Sequence, residues 1–508
     1  MEDLKYKHQI IDNIHGLIDL TTLEYKVINM PIFMRLQKIK QLSLANKKFP
    51  GAEHTRYVHS LGVMHIAGKM AARLKYTPEE QQLVRLAGLL HDLGHYPLSH
   101  VGEKAYMKEL KNQQKNIRWS DKNSEGFFLE ESRSEVLEAV NGIVKKSKER
   151  YVPMKDVKRC HHEELTGNVI ESYREEIEGI IKSHYPDTEI ITVSNIVNII
   201  TGNTKIENLE AISGMIQIIH SEFDADRIDY LMRDATSAGI CYGALELETF
   251  LSNLTRAKKQ GVDIVGVRPK GISALDNLLF NRFFSFKQVV MNKHISIHEA
   301  MAAILINYYI GKSDFKEYLI AGWKDVRQKL RENKDEFLNF SDSIFWDLVR
   351  SPNSDDCRFI SVIKKCFKEN TKVGKLVRTD GVVREHIIVE RNPSRAMKML
   401  KETETYKDAK KGVKNFYMFK EFQLTSQIPI EEYKEALKPE RENAEECEDE
   451  VIDKEVRNAL MEWGVVWRNE AEDAEYNDCM LLIDDKSSIT SCTARTTIYV
   501  LREYEIEM

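Results

Sequence analysis

"AGLLHDLGHYPLSH", residues 87–100, sets three histidines and a carboxylate at the end of an apolar run. An apolar run stops at His91-Asp92, and His95 and His100 follow within ten residues. An imidazole beside a carboxylate at a helix end offers a divalent cation neutral nitrogen and anionic oxygen donors. His91 and His95 are four apart, so on a continuous helix both would face one centre. Gly94 permits a break there, and Pro97 stops the helix from simply continuing. Just upstream, "TPEEQQLVRLAGLL" (77–90) opens with Thr77 as N-cap, Pro78 at the first helical position and two glutamates in the first turn.

Further out, "HTRYVHSLGV" (54–63) supplies His59 at a helix start, with Arg56 one turn before it. "HSEFDADRIDYLMRD" (220–234) supplies Asp226 in an acidic cluster at another helix start. Asp226, Tyr230 and Asp234 follow at i, i+4 and i+8 and line one helical face, flanked by Arg227 and Asp229. "NMPIFMRLQKIKQLSLA" (29–45) has Ile32, Leu36, Ile39 and Leu42 near helical spacing behind Pro31.

The remaining chain sets the class. It has 508 residues, 42% hydrophobic, with a formal net charge of −6, so it can bury a sizeable core and is no general nucleic-acid coat. Its seven cysteines form no CxxC pair, as in a reducing cytosol. No apolar run approaches the ~20 residues that cross a bilayer, and the N-terminus has no signal-peptide core. The expectation is a cytoplasmic protein, mainly α, with a helical core over 1–365 and a smaller mixed α/β region over 366–508. A polar, lysine-rich surface excursion is expected at about 103–157. "VDIVGVRPKG" (262–271) reads as a strand and turn. "GKLVRTDGVVREHIIVERN" (374–392) reads as a hairpin about Asp380-Gly381, and "RTTIYVLREYEI" (495–506) as a strand.

"FPGAEHTRYVHSLGV", "AGLLHDLGHYPLSH" and "DADRIDYLMRDATSAGI" together resemble the HD-domain phosphohydrolases, in the branch of dNTP triphosphohydrolases, from about residue 12 to 300. The resemblance implies a helical HD core whose metal ligands are His59, His91, Asp92 and Asp226. Such a set suits Fe, Mn, Zn or Ni, and Mg or Mn would accompany the nucleotide triphosphate. It implies attack at the α-phosphorus, releasing deoxynucleoside and intact triphosphate. His95 and His100 would contact phosphates, and "CHHEELTG" (160–167) adds His162 and Glu163, giving a His95–Glu163 relay. Arg56, Arg227 and Arg282 would grip the triphosphate. Gln41 and Leu42 would lie beside the sugar, Tyr230 would pack on the deoxyribose, and Asp234 would accept from the 3′-hydroxyl.

The same resemblance implies homodimers or homotetramers with a nucleotide activator between subunits. Arg256, Arg268, Lys270 and Lys293 match phosphate-contacting positions there. Two alternatives stand beside this reading. One is another HD phosphohydrolase, acting on cyclic or alarmone nucleotides or on single strands. The other is a nucleotide-sensing assembly protein. No membrane partner is expected, and nucleic-acid binding is not favoured.

Overall fold

A computed structural model describes residues 4–107, 127–131, 162–203, 209–259, 262–309, 332–352 and 358–370, with a few single residues and short, mainly β, segments beyond. The architecture is mainly α. An N-terminal antiparallel hairpin, Tyr6–Asp12 against Gly16–Thr21, leads into the helix Thr22–Ile28. The two long helices that carry the centre, Arg56–Arg73 and Pro78–Leu90, pack side by side. Val193–Ile200 and Leu209–Ile219 lie against the second of these, and Ala225–Ala238 against the first. One hydrophobic core runs through them, from Ile18 and Leu20 to Phe345 and Phe367.

Local chemistry explains where the elements begin and stop. Thr77 and Glu80 form a reciprocal capping box, and Pro78 fills the first helical position, as its spacing predicts. The helix then ends at Leu90. His95 N donates to Asp92 O, closing a turn, so His91 and His95 do not share a helical face. This corrects the expectation that both point at one centre. Gly94 packs where a Cβ would lie 2.1 Å from Thr166 N, so the chain must bend with no side chain there. Leu98 and Ser99 both take positive φ, 56° and 53°, a costly conformation for residues with side chains.

The helix expected through Ile32–Leu42 is shorter than its spacing suggests. Pro31–Met34 is α-helical, Arg35–Lys38 is a 3-10 turn, and Ile39 is already extended. Ile32, Leu36 and Ile39 are buried in the main core, while Leu42 packs in a small separate cluster with Ala45, Ala52, Val289 and Ile295. Beyond the centre, His100–Met107 is helical through the expected start of the excursion, so residue 103 belongs to the core. Most of 103–157 lies outside the described residues, as does the charged stretch 438–456.

The expected strand at 262–267 exists and pairs antiparallel with Leu254–Lys259. Val465–Trp467 adds to the same sheet in parallel, so the C-terminal region completes a sheet begun in the core. Thr379 pairs with Val382 and Arg378 with Val383, the register of the expected hairpin; its two turn residues lie outside the described set. Thr497–Glu505 pairs with both Phe416–Gln423 and Glu385–Glu390. The boundary expected at 365/366 falls inside the helix Arg358–Glu369. Among the described residues, no helix is long and apolar enough to cross a membrane.

Candidate metal centre

Three elements bring the four expected ligands together. His59 stands in the first turn of Arg56–Arg73, His91 and Asp92 follow Leu90, and Asp226 lies in the first turn of Ala225–Ala238. Asp224 caps that last helix by accepting from Arg227 N at 2.7 Å. His59 Nε2 lies 2.8 Å from Asp226 Oδ1 and 3.9 Å from Asp92 Oδ2. His91 Nε2 lies 3.4 Å from Asp92 Oδ1 and 3.7 Å from Asp226 Oδ1. Both Nε2 atoms are buried and neither has an aligned hydrogen-bond partner.

The other nitrogen of each ring is committed. His59 Nδ1 is 2.8 Å from Asp229 Oδ2, and His91 Nδ1 is 2.8 Å from Gly88 O. A ring whose Nδ1 donates to an oxygen presents Nε2 as a lone pair. Two such lone pairs facing two carboxylates fit a divalent cation and leave room for further oxygen ligands. Burial disfavours charge on His59, but the Asp226 and Asp229 carboxylates facing its two nitrogens outweigh it and lift its pKa to about 10. Burial likewise opposes ionisation of Asp92, yet Arg56 and the three neighbouring imidazoles hold it well below the usual carboxylate range. A divalent cation would take the place of the His59 proton.

Asp229 is the hub behind this centre. It is fully buried and receives His59 Nδ1, His15 Nε2 at 2.6 Å, and Arg233 at 2.8 and 2.9 Å. Arg233 in turn reaches Asp12 at 2.8 Å, which ties the N-terminal hairpin to the ligand helix. Gly62 makes this approach available, because a Cβ there would sit 1.9 Å from Asp229 Oδ1.

A second group of imidazoles lies alongside. The rings of His95 and His162 stack with centroids 4.5 Å apart, and His100 meets each edge-on at 5.1 and 5.3 Å. Glu103 binds two of them: its Oε1 is 3.1 Å from His162 Nδ1 and its Oε2 is 2.9 Å from His100 Nδ1. Neither nitrogen of His95 has a hydrogen-bond partner among the described residues, although the residue is fully buried. The direct His95–Glu163 hydrogen bond is therefore not formed. Glu163 Oε1 instead stands 3.5 Å from His162 Nε2. Burial lowers the pKa of both rings. At His162, Glu163 and Glu103 overcome that and raise it to about 9, whereas at His95 the Arg56 and His162 charges push it further down. One ligand nitrogen from each of His95, His100 and His162 lies within 4.8 Å of the others, so this group too could hold a metal ion.

The remaining expected residues surround these groups. Arg56 is buried and spans Asp92 Oδ2 at 2.8 Å and Ser99 Oγ at 3.0 Å. Arg227 pairs with Asp224 at 2.7 Å, and Arg282 with Glu222 at 2.6 Å. Asp234 faces His54 Nε2 at 2.8 Å. Tyr230 is half-buried on the same face, and Gln41 is buried with Oε1 unpartnered. Arg256 is held by Asp263 at 2.8 Å and stacks on Tyr76, while Lys270 and Lys293 are exposed. Arg268 directly precedes the short turn Pro269–Gly271.

Sequence reading missed the supports. Asp229 and Arg233 carried one signal, an acid–base pair at i,i+4. Glu103 carried a similar one, three residues after His100 on one helix; His15, His54, Asp12 and Glu222 carried none, because their partners come mainly from other elements.

Residues 56–231 match the family model described as the HD domain. The chain is 29% identical over 292 residues to an uncharacterized protein of Methanocaldococcus jannaschii, covering 58% of this chain and 48% of that one. It is 26% identical over 363 residues to the deoxynucleoside triphosphate triphosphohydrolase SAMHD1 of Homo sapiens, covering 69% of this chain and 52% of that protein. It thus spans about half the length of the curated relatives it matches. The crystal structure of a hypothetical protein from Aquifex aeolicus aligns with a TM-score of 0.59 at 21% identity, covering 98% of this chain and 96% of that one; this shows the fold alone.

Proposed function

We propose that this HD-domain chain is a metal-dependent dNTP triphosphohydrolase, converting dNTP and water to deoxynucleoside and triphosphate. The observation that carries the reading is the pair of unpartnered, buried Nε2 atoms of His59 and His91 facing Asp92 and Asp226. The similarity to deoxynucleoside triphosphate triphosphohydrolases over about 70% of the chain supports it.

His59, His91, Asp92 and Asp226 would hold Fe, Mn, Zn or Ni; such an ion acidifies bound water and polarises phosphoryl oxygen. The chain's own residues do the rest. Arg56 fixes Asp92 and brings positive charge to the buried centre. His162 keeps a proton on Nδ1 against Glu103, and His95 stays neutral beside it with both nitrogens available. An approaching phosphate raises the proton affinity of His95, so the leaving oxygen meets an imidazole able to donate. Glu163 supports the charge on His162, so the relay runs through that ring and not directly to His95. His100, exposed at the rim and anchored by Glu103, contacts phosphate from outside.

Arg227 and Arg282 bind the phosphate chain, which arrives with Mg or Mn. Tyr230 and Asp234 face the sugar, Asp234 oriented by His54, with Gln41 and Leu42 alongside. Arg268, Lys270 and Lys293 would contact the phosphates of a nucleotide activator shared between copies in a homodimer or homotetramer, with Arg256 held by Asp263. The region 366–508 supports that assembly.

The test is incubation of metal-loaded protein with each dNTP and NTP, alone and mixed, with products resolved. Free triphosphate is expected. Pyrophosphate, monophosphate or cleaved DNA would replace this reading with another HD phosphohydrolase activity. Ligand-induced oligomers without turnover would replace it with nucleotide sensing.

A further inference from the structure

The two arginines beside the centre are not free cations. Arg282 Nη1 donates to Glu222 Oε2 at 2.6 Å, and Arg227 Nη2 lies 4.0 Å from the other oxygen of the same carboxylate. Arg227 Nη1 is taken by Asp224 at 2.7 Å. Glu222 and Asp224 are both buried, in the turn just before the helix that carries Asp226. Two guanidinium groups thus face two carboxylates, and the group has no net formal charge. Arg282 Nε, buried, has no hydrogen-bond partner among the described residues, and Nη1 is the arm held by Glu222.

Electroneutrality matters here because buried charges are screened little. A bare polyphosphate entering this group would meet two anions as well as two cations, and would have to push Glu222 off Arg282 against that repulsion. A polyphosphate that carries a divalent cation brings a replacement partner for the carboxylate. Arg282 then turns to the phosphate while the cation takes Glu222, so the buried carboxylate keeps a cationic partner and the added negative charge is reduced by two. Glu222 therefore selects for the metal complex over the bare anion.

We propose that Glu222 is a specificity-determining residue that latches Arg282 and Arg227, so that the site admits a polyphosphate only as its divalent-cation complex. The inference rests on the reading of Arg227 and Arg282 as phosphate-binding. Calorimetric titration of the full-length, metal-loaded chain with inorganic tripolyphosphate, with and without Mg2+, tests it, with bound HD metal assayed before and after. The unsubstituted chain is expected to bind the Mg complex at least tenfold more tightly than the bare anion, a comparison that needs no variant. Glu222→Gln is expected to bind the bare anion about tenfold more tightly than the unsubstituted chain and to lose most of the Mg2+ preference. Equal binding of the two forms by the unsubstituted chain overturns the latch. So does a folded Glu222→Gln protein whose affinity for the bare anion is unchanged or weaker. Arg282→Ala separates the two levels: if it binds tripolyphosphate as well as the unsubstituted chain, the phosphate-binding role of the arginine itself is wrong and the latch falls with it.

Discussion

His91 and His95 stand four residues apart on one loop, yet they belong to two groups with opposite chemistry. In the first, His59 and His91 each have Nδ1 fixed by an oxygen, so both Nε2 atoms turn toward Asp92 and Asp226. In the second, His95, His100 and His162 face one another, and one carboxylate, Glu103, is shared between two of them. Fixing one nitrogen makes an imidazole a ligand. Packing imidazoles together makes them divide protons unequally, because one charge suppresses the next. The loop between them holds this division in place. Arg35, wholly buried, donates to Leu93 O and His95 O from one side, and Asp342 accepts from Leu98 N on the other.

The strongest way to break the contrast is to remove a ligand. Asp226→Ala should abolish bound metal and with it phosphohydrolase turnover; elemental analysis of the folded variant with metal retained would refute the first group. His95→Ala should instead keep the metal while turnover falls roughly 10²–10⁴-fold, the usual share of a proton-transferring side chain. Paired metal and rate assays read both.

Arg233→Ala leaves Asp229 buried without its guanidinium partner and cuts the link to Asp12. Losing one member of a buried pair should cost about 3–5 kcal/mol of stability, measured by denaturant unfolding, with metal affinity weakened as a consequence.

Glu103→Gln sharpens the second group. In the native chain, the stabilisation from His162 is complete below its ordinary pKa of 6.5 and is lost as pH rises through about 9. The variant should move the upper edge of that window down. A pH titration of the His162 ring by NMR that shows no downward move would remove Glu103 from its role. Thr77→Ala touches neither group; loss of the cap should cost roughly 0.5–2 kcal/mol in thermal or denaturant unfolding and leave metal content unchanged.

Much of this was legible beforehand, for local reasons. The apolar run of Pro78–Leu90, its capping box and the Pro97 stop belong to neighbouring residues, so the helix could be read from them. The same holds for the strand register about residues 378–383. The grouping of His91 with His95 failed because the helix ends one residue before His91, a choice made by Gly94 packing on Thr166. Glu222 looked like one acid among several in "HSEFDADRID", since its partner Arg282 lies sixty residues away.

The chain alone determined its helices and, through the resemblance of three ordered motifs, which four side chains would gather at one centre; spacing and capping act over a few residues and need no other part of the molecule. Which nitrogen of each ring is free, which imidazole stays charged and which carboxylate holds the arginines follow from the packed fold. Those outcomes depend on burial and on partners brought from distant segments, and neither exists until the helices have packed.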